Sequence, residues 1–206
     1  KQRIDVFEGT ARLAFEDDWT PLSLHNSRDS TSVVIWAKIG AGPFHAPFYS
    51  IDVQERLKTA QWFAGTSQSL RDYAIRTTGV PLKGIVWHMS RCGSTLARNL
   101  LAETDRSVVI AEPSLINAIV VDIMEESSNG EATHVLHSAF RCFVRPDGDR
   151  LERAYLKCTS WNVLVAQAMH ECMPSVPGIF IHRDPLLVLA SIAQGAPGWT
   201  NEDAFL

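Results

Sequence analysis

The sequence predicts an α/β fold, a three-layer α/β/α core around a central parallel sheet, preceded by a small N-terminal segment. Two observations carry this. After Gly84, short apolar runs alternate with longer stretches of helical spacing, which is the pattern of repeated strand–helix units around a parallel sheet. The composition is that of a folded chain. Its 206 residues are 46% hydrophobic and 20% charged, which argues against disorder and suffices for one domain plus an annex at about 100–200 residues per domain.

Residues 1–80 read as an accessory segment of short mixed pieces. Ser32 to Ile39 is a strand candidate, and Gly40 to Pro43 a break. Asp52 to Phe63 has helical spacing, with Val53, Leu57, Ala60 and Trp62/Phe63 near one face and Ser50 or Asp52 as cap. Pro81 to Gly84 marks a boundary, and residues 81–206 read as the main domain. Ile85–Met89 is an apolar run fit for a buried strand. Ser94–Glu103 is a helix, Ser107–Ile110 a strand, and Leu115–Glu126 and Glu131–Val144 are helices. Ala154–Cys158 is the third strand of this part. Asn162–Cys172 is a helix capped by Asn162 or Ser160 and stopped by Pro174. Gly178–His182 is a strand. Leu186–Ala193 is a helix begun at Pro185, a favourable first-turn residue. Ligands of such folds bind beyond the carboxyl ends of the strands.

Nineteen basic and 23 acidic side chains give a net charge of −4. No global basic field draws the chain to nucleic acid or an anionic membrane. The longest apolar stretch, Leu115 to Met124, is broken by Asn117 and Asp122 and is shorter than the roughly 18–20 residues that span a bilayer. No signal peptide is visible, and the chain begins at Lys1 rather than Met, as expected if a preceding piece has been removed. Cys92, Cys142, Cys158 and Cys172 are scattered without a CxxC pair, the spacing of reduced cytoplasmic thiols rather than of a zinc site or disulfide scaffold. His134 and His137 have helical spacing but no third partner, so no metal site is expected there.

The chemistry concentrates in Ser90-Arg91-Cys92-Gly93-Ser94-Thr95, between a buried strand and a helix. The free amides and dipole of a helix N-terminus favour an anion in such a loop. Gly93 permits close backbone approach, Ser94 and Thr95 add hydroxyls, and Arg91 adds a permanent charge. The loop suits a phosphate or sulfate group. It is not the GxxxxGK[ST] nucleoside-triphosphate loop, because Ser94 follows Gly93 with no lysine between them.

The segment His88 to Leu96 (HMSRCGSTL) resembles the 5′-phosphosulfate loop of sulfotransferases that use 3′-phosphoadenosine-5′-phosphosulfate, and is close to a bacterial branch of that family. Phe180-Ile181-His182-Arg183-Asp184-Pro185, followed by a helix bearing Ser191, is similar to the family's 3′-phosphate site, in which an arginine and a serine eight positions later hold that phosphate. Trp36 and Phe44-His45-Ala46-Pro47-Phe48 resemble the short leader ahead of the loop. The likeness covers Gly84 to Ser191; family members run on past that serine, so it implies a C-terminally truncated chain.

The resemblance implies a P-loop-type core and a cytoplasmic enzyme. This enzyme moves a sulfuryl group from that donor, its co-substrate, to a hydroxyl or amine of a small-molecule or glycan acceptor, without a metal. Arg91, Cys92, Gly93, Ser94, Thr95 and Leu96 would bind the donor's 5′ end, and Arg183 and Ser191 its 3′-phosphate. Lys157, ending a strand, is placed to face the donor or to reach solvent. Glu112 is the first choice of base, since adjacent parallel strands end on the same side, with capping of the Leu115 helix as its other reading. His88 is the alternative base or a core histidine. Many cytosolic relatives have a histidine where Thr159-Ser160-Trp161 stand here, and its lack favours Glu112. Asp184 is expected to brace Arg183 or cap the next helix. Two other functions stay open: a phosphotransferase on the same fold, and a non-catalytic nucleotide-binding module.

Overall fold

The first element among the described residues is an antiparallel sheet. β1 (Trp19–Asn26), β2 (Ser32–Lys38) and β3 (Trp62–Thr66) lie in the order β1-β2-β3, with α1 (Tyr49–Leu57) between β2 and β3 and α2 (Ser67–Arg76) after β3. The computed structural model describes residues 19–26, 32–40, 44, 46–124, 131–144 and 151–195, excluding the side chains of 131–134. Residues 41–43 of the expected break, His45, the last two residues of the helix expected to reach Glu126 and the His134 side chain therefore lie outside the described residues.

The described residues of the N-terminal part differ from the sequence pattern. The helix expected over Asp52–Phe63 ends at Leu57, and Trp62 and Phe63 belong to β3. Tertiary packing decides this. Phe63 is the cross-strand partner of Trp36, and their rings stack at 5.6 Å and 7°. Trp19 of β1 meets Phe63 edge-on at 4.8 Å. One aromatic from each strand thus builds a shared cluster, and such pairs add about 0.5–1.5 kcal/mol beyond their burial, enough to override local helix spacing. In β1, Leu22 and Leu24 are buried, and the ladder shifts register between Pro21 and Ser23, where proline removes a donor.

The second part is a four-stranded parallel sheet flanked by helices. β4 (Leu82–His88), β5 (Ser107–Ala111), β6 (Arg153–Lys157) and β7 (Gly178–Ile181) lie in the order β5-β6-β4-β7. The helices are α3 (Ser94–Ala102), α4 (Ser114–Met124), α5 (Glu131–Phe143), α6 (Ala166–Cys172) and α7 (Pro185–Gln194). The expected single helix over Asn162–Cys172 is two pieces, a 3₁₀ segment (Ser160–Val165) and α6. Thr159 takes the capping position in place of Asn162 or Ser160, and the Asn162 side-chain oxygen accepts from the Thr159 amide at 2.9 Å.

One apolar core runs through both sheets. It joins Val34, Trp36, Leu70 and Tyr73 to Leu115, Ile119, Leu136, Phe140, Ile110 and Leu156. Burying each such side chain contributes about 1.5–3 kcal/mol, so residues on both sides of the 80/81 boundary share the same stabilisation. Parallel pairing puts the carboxyl ends of β4 to β7 along one edge, and the polar residues His88, Glu112, Lys157 and Arg183 stand at or just past those ends. No helix among the described residues is long and apolar enough to cross a membrane.

Candidate active site

At that edge a pocket of about 580 Å³ opens, lined by Phe48, His88, Ser90, Arg91, Cys92, Gly93, Ser94, Thr95, Glu112, Lys157, Ser160, Arg183 and Ser191. Its volume falls within the roughly 300–1,000 Å³ of small-molecule sites. The loop between β4 and α3 forms its middle. Gly93, just before α3, has φ +91°, in the left-handed region that costs non-glycine residues about 1–2 kcal/mol. Arg91, at φ 60°, accepts this cost. The resulting turn lays the chain across the start of α3. The Leu96 amide bonds back to the Gly93 carbonyl at 3.0 Å, and helix geometry leaves the amides of Ser94 and Thr95 facing the loop.

On the β7 side, Arg91 Nε donates to Ser191 Oγ at 2.9 Å, and Arg183 Nη1 donates to the Arg91 carbonyl at 3.3 Å. Three residues expected at two separate phosphate positions therefore touch. The Arg91 guanidinium, expected at the 5′ end of the donor with Ser94 and Thr95, reaches instead to the serine expected at the 3′ end. Asp184 caps α7, accepting from the Leu186 amide at 2.8 Å, and so supports the helix that carries Ser191. Of the six residues Arg91 to Leu96 expected at the donor's 5′ end, Leu96 is the one not brought to the pocket. Its side chain is 66% exposed and outside the pocket lining, because it lies on a helix face turned away from the loop.

On the β5–β6 side, Lys157 Nζ donates to Glu112 Oε1. Lys157 is 1% exposed and the Glu112 side chain 21%, so the lysine does not reach solvent and the carboxylate turns to the pocket rather than to α4. Glu112 has φ 55°, a left-handed conformation in which its amide donates to the Lys157 carbonyl at 2.8 Å. Backbone strain at a pocket residue is the kind stored at functional sites. Burial opposes ionisation of Glu112, but the neighbouring His88 ring and the Lys157 ammonium outweigh it, holding the carboxyl below its ordinary range.

His88 is buried. Its Nε2 lies 2.7 Å from the Cys158 carbonyl oxygen and 3.6 Å from Glu112 Oε1, and its Nδ1 lies 3.0 Å from the Met89 carbonyl oxygen. A base needs a nitrogen lone pair aimed at the substrate. Both ring nitrogens here face backbone oxygens, so His88 braces Glu112 and the strand ends. Burial pushes the neighbouring Cys158 thiol far up, which keeps it an uncharged core group.

The structure thus collects every expected site residue except Leu96 into one pocket. It includes Ser90, which opens the expected anion loop, and adds Ser160 and Phe48, which sequence reasoning did not place there. Ser160 stands just past β6 and Phe48 just before α1. The first could be found from its strand-end position; no signal in the sequence tells which way the second faces. No family model, curated protein or solved structure matches the chain.

Proposed function

We propose that the chain is a sulfotransferase on a P-loop-type core, moving a sulfuryl group from 3′-phosphoadenosine-5′-phosphosulfate to an acceptor hydroxyl. One observation carries the reading: a single pocket holds two anion-binding elements, the loop at the start of α3 and the Arg183–Ser191 pair, bridged by Arg91. A nucleotide with phosphate at both its 5′ and 3′ positions needs two such elements in one site. The donor set fits: Arg91 and Arg183 offer forked guanidiniums, and Ser94, Thr95 and Ser191 offer hydroxyls.

When bound, the donor supplies an activated sulfuryl group and a phosphate leaving group. The protein's part is positioning and charge stabilisation. The α3 amides, Ser94 and Thr95 hold the 5′ end. Arg91 spans from there to Ser191 and stabilises charge on the leaving side. Lys157 and Glu112 stand on the β5–β6 side of the loop, away from Arg183 and Ser191, and this reading assigns that side to the acceptor. Glu112 accepts the acceptor's proton. Glu112 faces the pocket while paired with the Lys157 ammonium, which holds it in the ionised form that can accept a proton.

Titration calorimetry with 3′-phosphoadenosine-5′-phosphate tests this, with ATP plus magnesium as comparator. Tight binding of the former, weakened about 10- to 100-fold by Arg183→Ala, supports the reading. Preference for ATP refutes it and favours a phosphotransferase. Donor binding without turnover for any acceptor favours a binding module.

A further inference from the structure

Three successive residues at the end of β6 are each fastened to a different element. The Lys157 ammonium donates to Glu112, just past β5. The Cys158 carbonyl oxygen lies 2.7 Å from His88 Nε2, at the end of β4. Thr159 Oγ1 donates to Asn117 Oδ1, on α4, at 2.8 Å. Ser160, the next residue, lines the pocket, whereas Thr159 and Asn117 stand behind its lining.

The third fastening lies where the sheet no longer guides the chain. The ladder between β5 and β6 ends at the Ala111–Lys157 pair. One more backbone bond follows, from the Glu112 amide to the Lys157 carbonyl at 2.8 Å. Beyond it the two chains part, one into α4 and the other into the 3₁₀ segment. The Glu112–Lys157 ion pair sits at this fork, and the Asn117–Thr159 bond ties the two chains again past it. α4 is a firm base for that tie. The Asn117 amide donates to the Pro113 carbonyl at 3.2 Å, and Ser114 Oγ, at the helix start, donates to the Leu22 carbonyl of β1 at 2.6 Å.

The chemistry of the tie makes it directional. Thr159 is 6% exposed, and Asn117 interrupts a helix that buries Leu115, Ile116, Ile119 and Val120. An apolar pair could fill the same space at a range of offsets. A buried hydroxyl and an amide oxygen are satisfied only within hydrogen-bond distance and angle. Their bond therefore fixes the offset of the β6 end from α4, and with it the reach from Lys157 to Glu112.

We propose that Asn117 is a positioning residue of the pocket: through Thr159 it holds the end of β6 against α4 and so sets the Lys157 ammonium on the Glu112 carboxylate. Its bearing on turnover rests on the sulfotransferase reading, which gives Glu112 the acceptor's proton; the fastening itself does not.

A stability cycle at pH 7 tests this. The fall in melting temperature caused by Glu112→Gln is measured in wild type and again in the Asn117→Ala/Thr159→Val background. In wild type that fall reports the pairing of Lys157 with a carboxylate. The double replacement removes the hydroxyl and its acceptor together, so neither strands the other and the fold is largely kept. A positioning role makes the Glu112→Gln fall smaller in this background, by about half or more, because the sites are coupled. A merely structural role leaves the two falls equal, because independent sites add. Thr159→Ser keeps the hydroxyl and should keep the full wild-type fall. Equal falls in wild type and the double background, or a fall in Thr159→Ser as small as in the double background, overturn the proposal. Should the double background not fold, Asn117→Ala alone decides by the same comparison, since alanine favours a helix and the position is half-buried. Calorimetry of wild type with 3′-phosphoadenosine-5′-phosphate separates the two readings. No binding together with a reduced fall refutes the donor assignment alone, and binding together with equal falls refutes the positioning role alone.

Discussion

Replacing Lys157 by methionine isolates the charge of the buried pair. Methionine fills the space of the lysine stem, so the packing of a residue only 1% exposed is largely kept. The ammonium's interactions with Glu112 and the Phe48 ring are lost. Removing one partner of a fully buried ion pair costs about 3–5 kcal/mol, chiefly by stranding the other charge. Glu112 is not fully stranded: its side chain is 21% exposed and His88 Nε2 remains 3.6 Å away. The expected loss is therefore about 2–3 kcal/mol. At about 2–4 °C per kcal/mol for a chain of this size, the melting temperature should fall by about 4–12 °C. Glu112→Gln in the same background should restore most of it, because the stranded charge is then gone. Thermal and urea denaturation of wild type, both single variants and the double variant close the cycle. Equal stability of Lys157→Met and the double variant would refute the argument, since the cost would then lie in packing rather than in an unpaired carboxylate.

Other expectations follow from the same geometry. The folded pKa of Glu112 lies below its ordinary value of 4.5. Its ionised form therefore stabilises the fold above about pH 4.5, and that contribution is lost as the pH falls through the lower folded value. The stability gap between wild type and Glu112→Gln should accordingly narrow on acidification below pH 4.5, and a melting series across that range reads it. Gly93→Ala meets no atom within 4 Å of the added Cβ, so the cost is the left-handed φ alone. About 1–2 kcal/mol should appear as a lower melting temperature. Arg183→Ala removes charge-assisted bonds to a phosphate and should weaken 3′-phosphoadenosine-5′-phosphate about 10- to 100-fold by calorimetry. Asp184→Ala deletes the cap of α7 and should cost about 1 kcal/mol in denaturant unfolding.

Much of the parallel half was legible because its signals are local. β5, β6 and β7 carry apolar runs within a residue of the observed strands, β4 begins three residues before the run expected from Ile85, and Pro185, with Asp184 before it, marks the start of α7. The anion loop was legible for the same reason, since the turn, the glycine and the helix start are adjacent in the chain. The N-terminal half was less so. Trp62 and Phe63 fit a helix face equally well, and their strand depends on Trp36 and Trp19, distant in sequence. β1 and α2 went unassigned because neither has a strong cap or an uninterrupted apolar run.

By itself the sequence determined which residue types stand at the ends of the parallel strands: an arginine, a glycine and two hydroxyls after β4, a glutamate after β5, a lysine closing β6 and an arginine after β7. Local periodicity and turn chemistry suffice for that. Tertiary structure alone decided how these residues pair. Lys157 closes on Glu112, Arg91 turns to Ser191 a hundred positions away, and the Phe48 ring lies beside the Lys157 ammonium. Each pairing joins segments far apart in the chain, and its direction is set by strand order and side-chain packing, which no local pattern encodes.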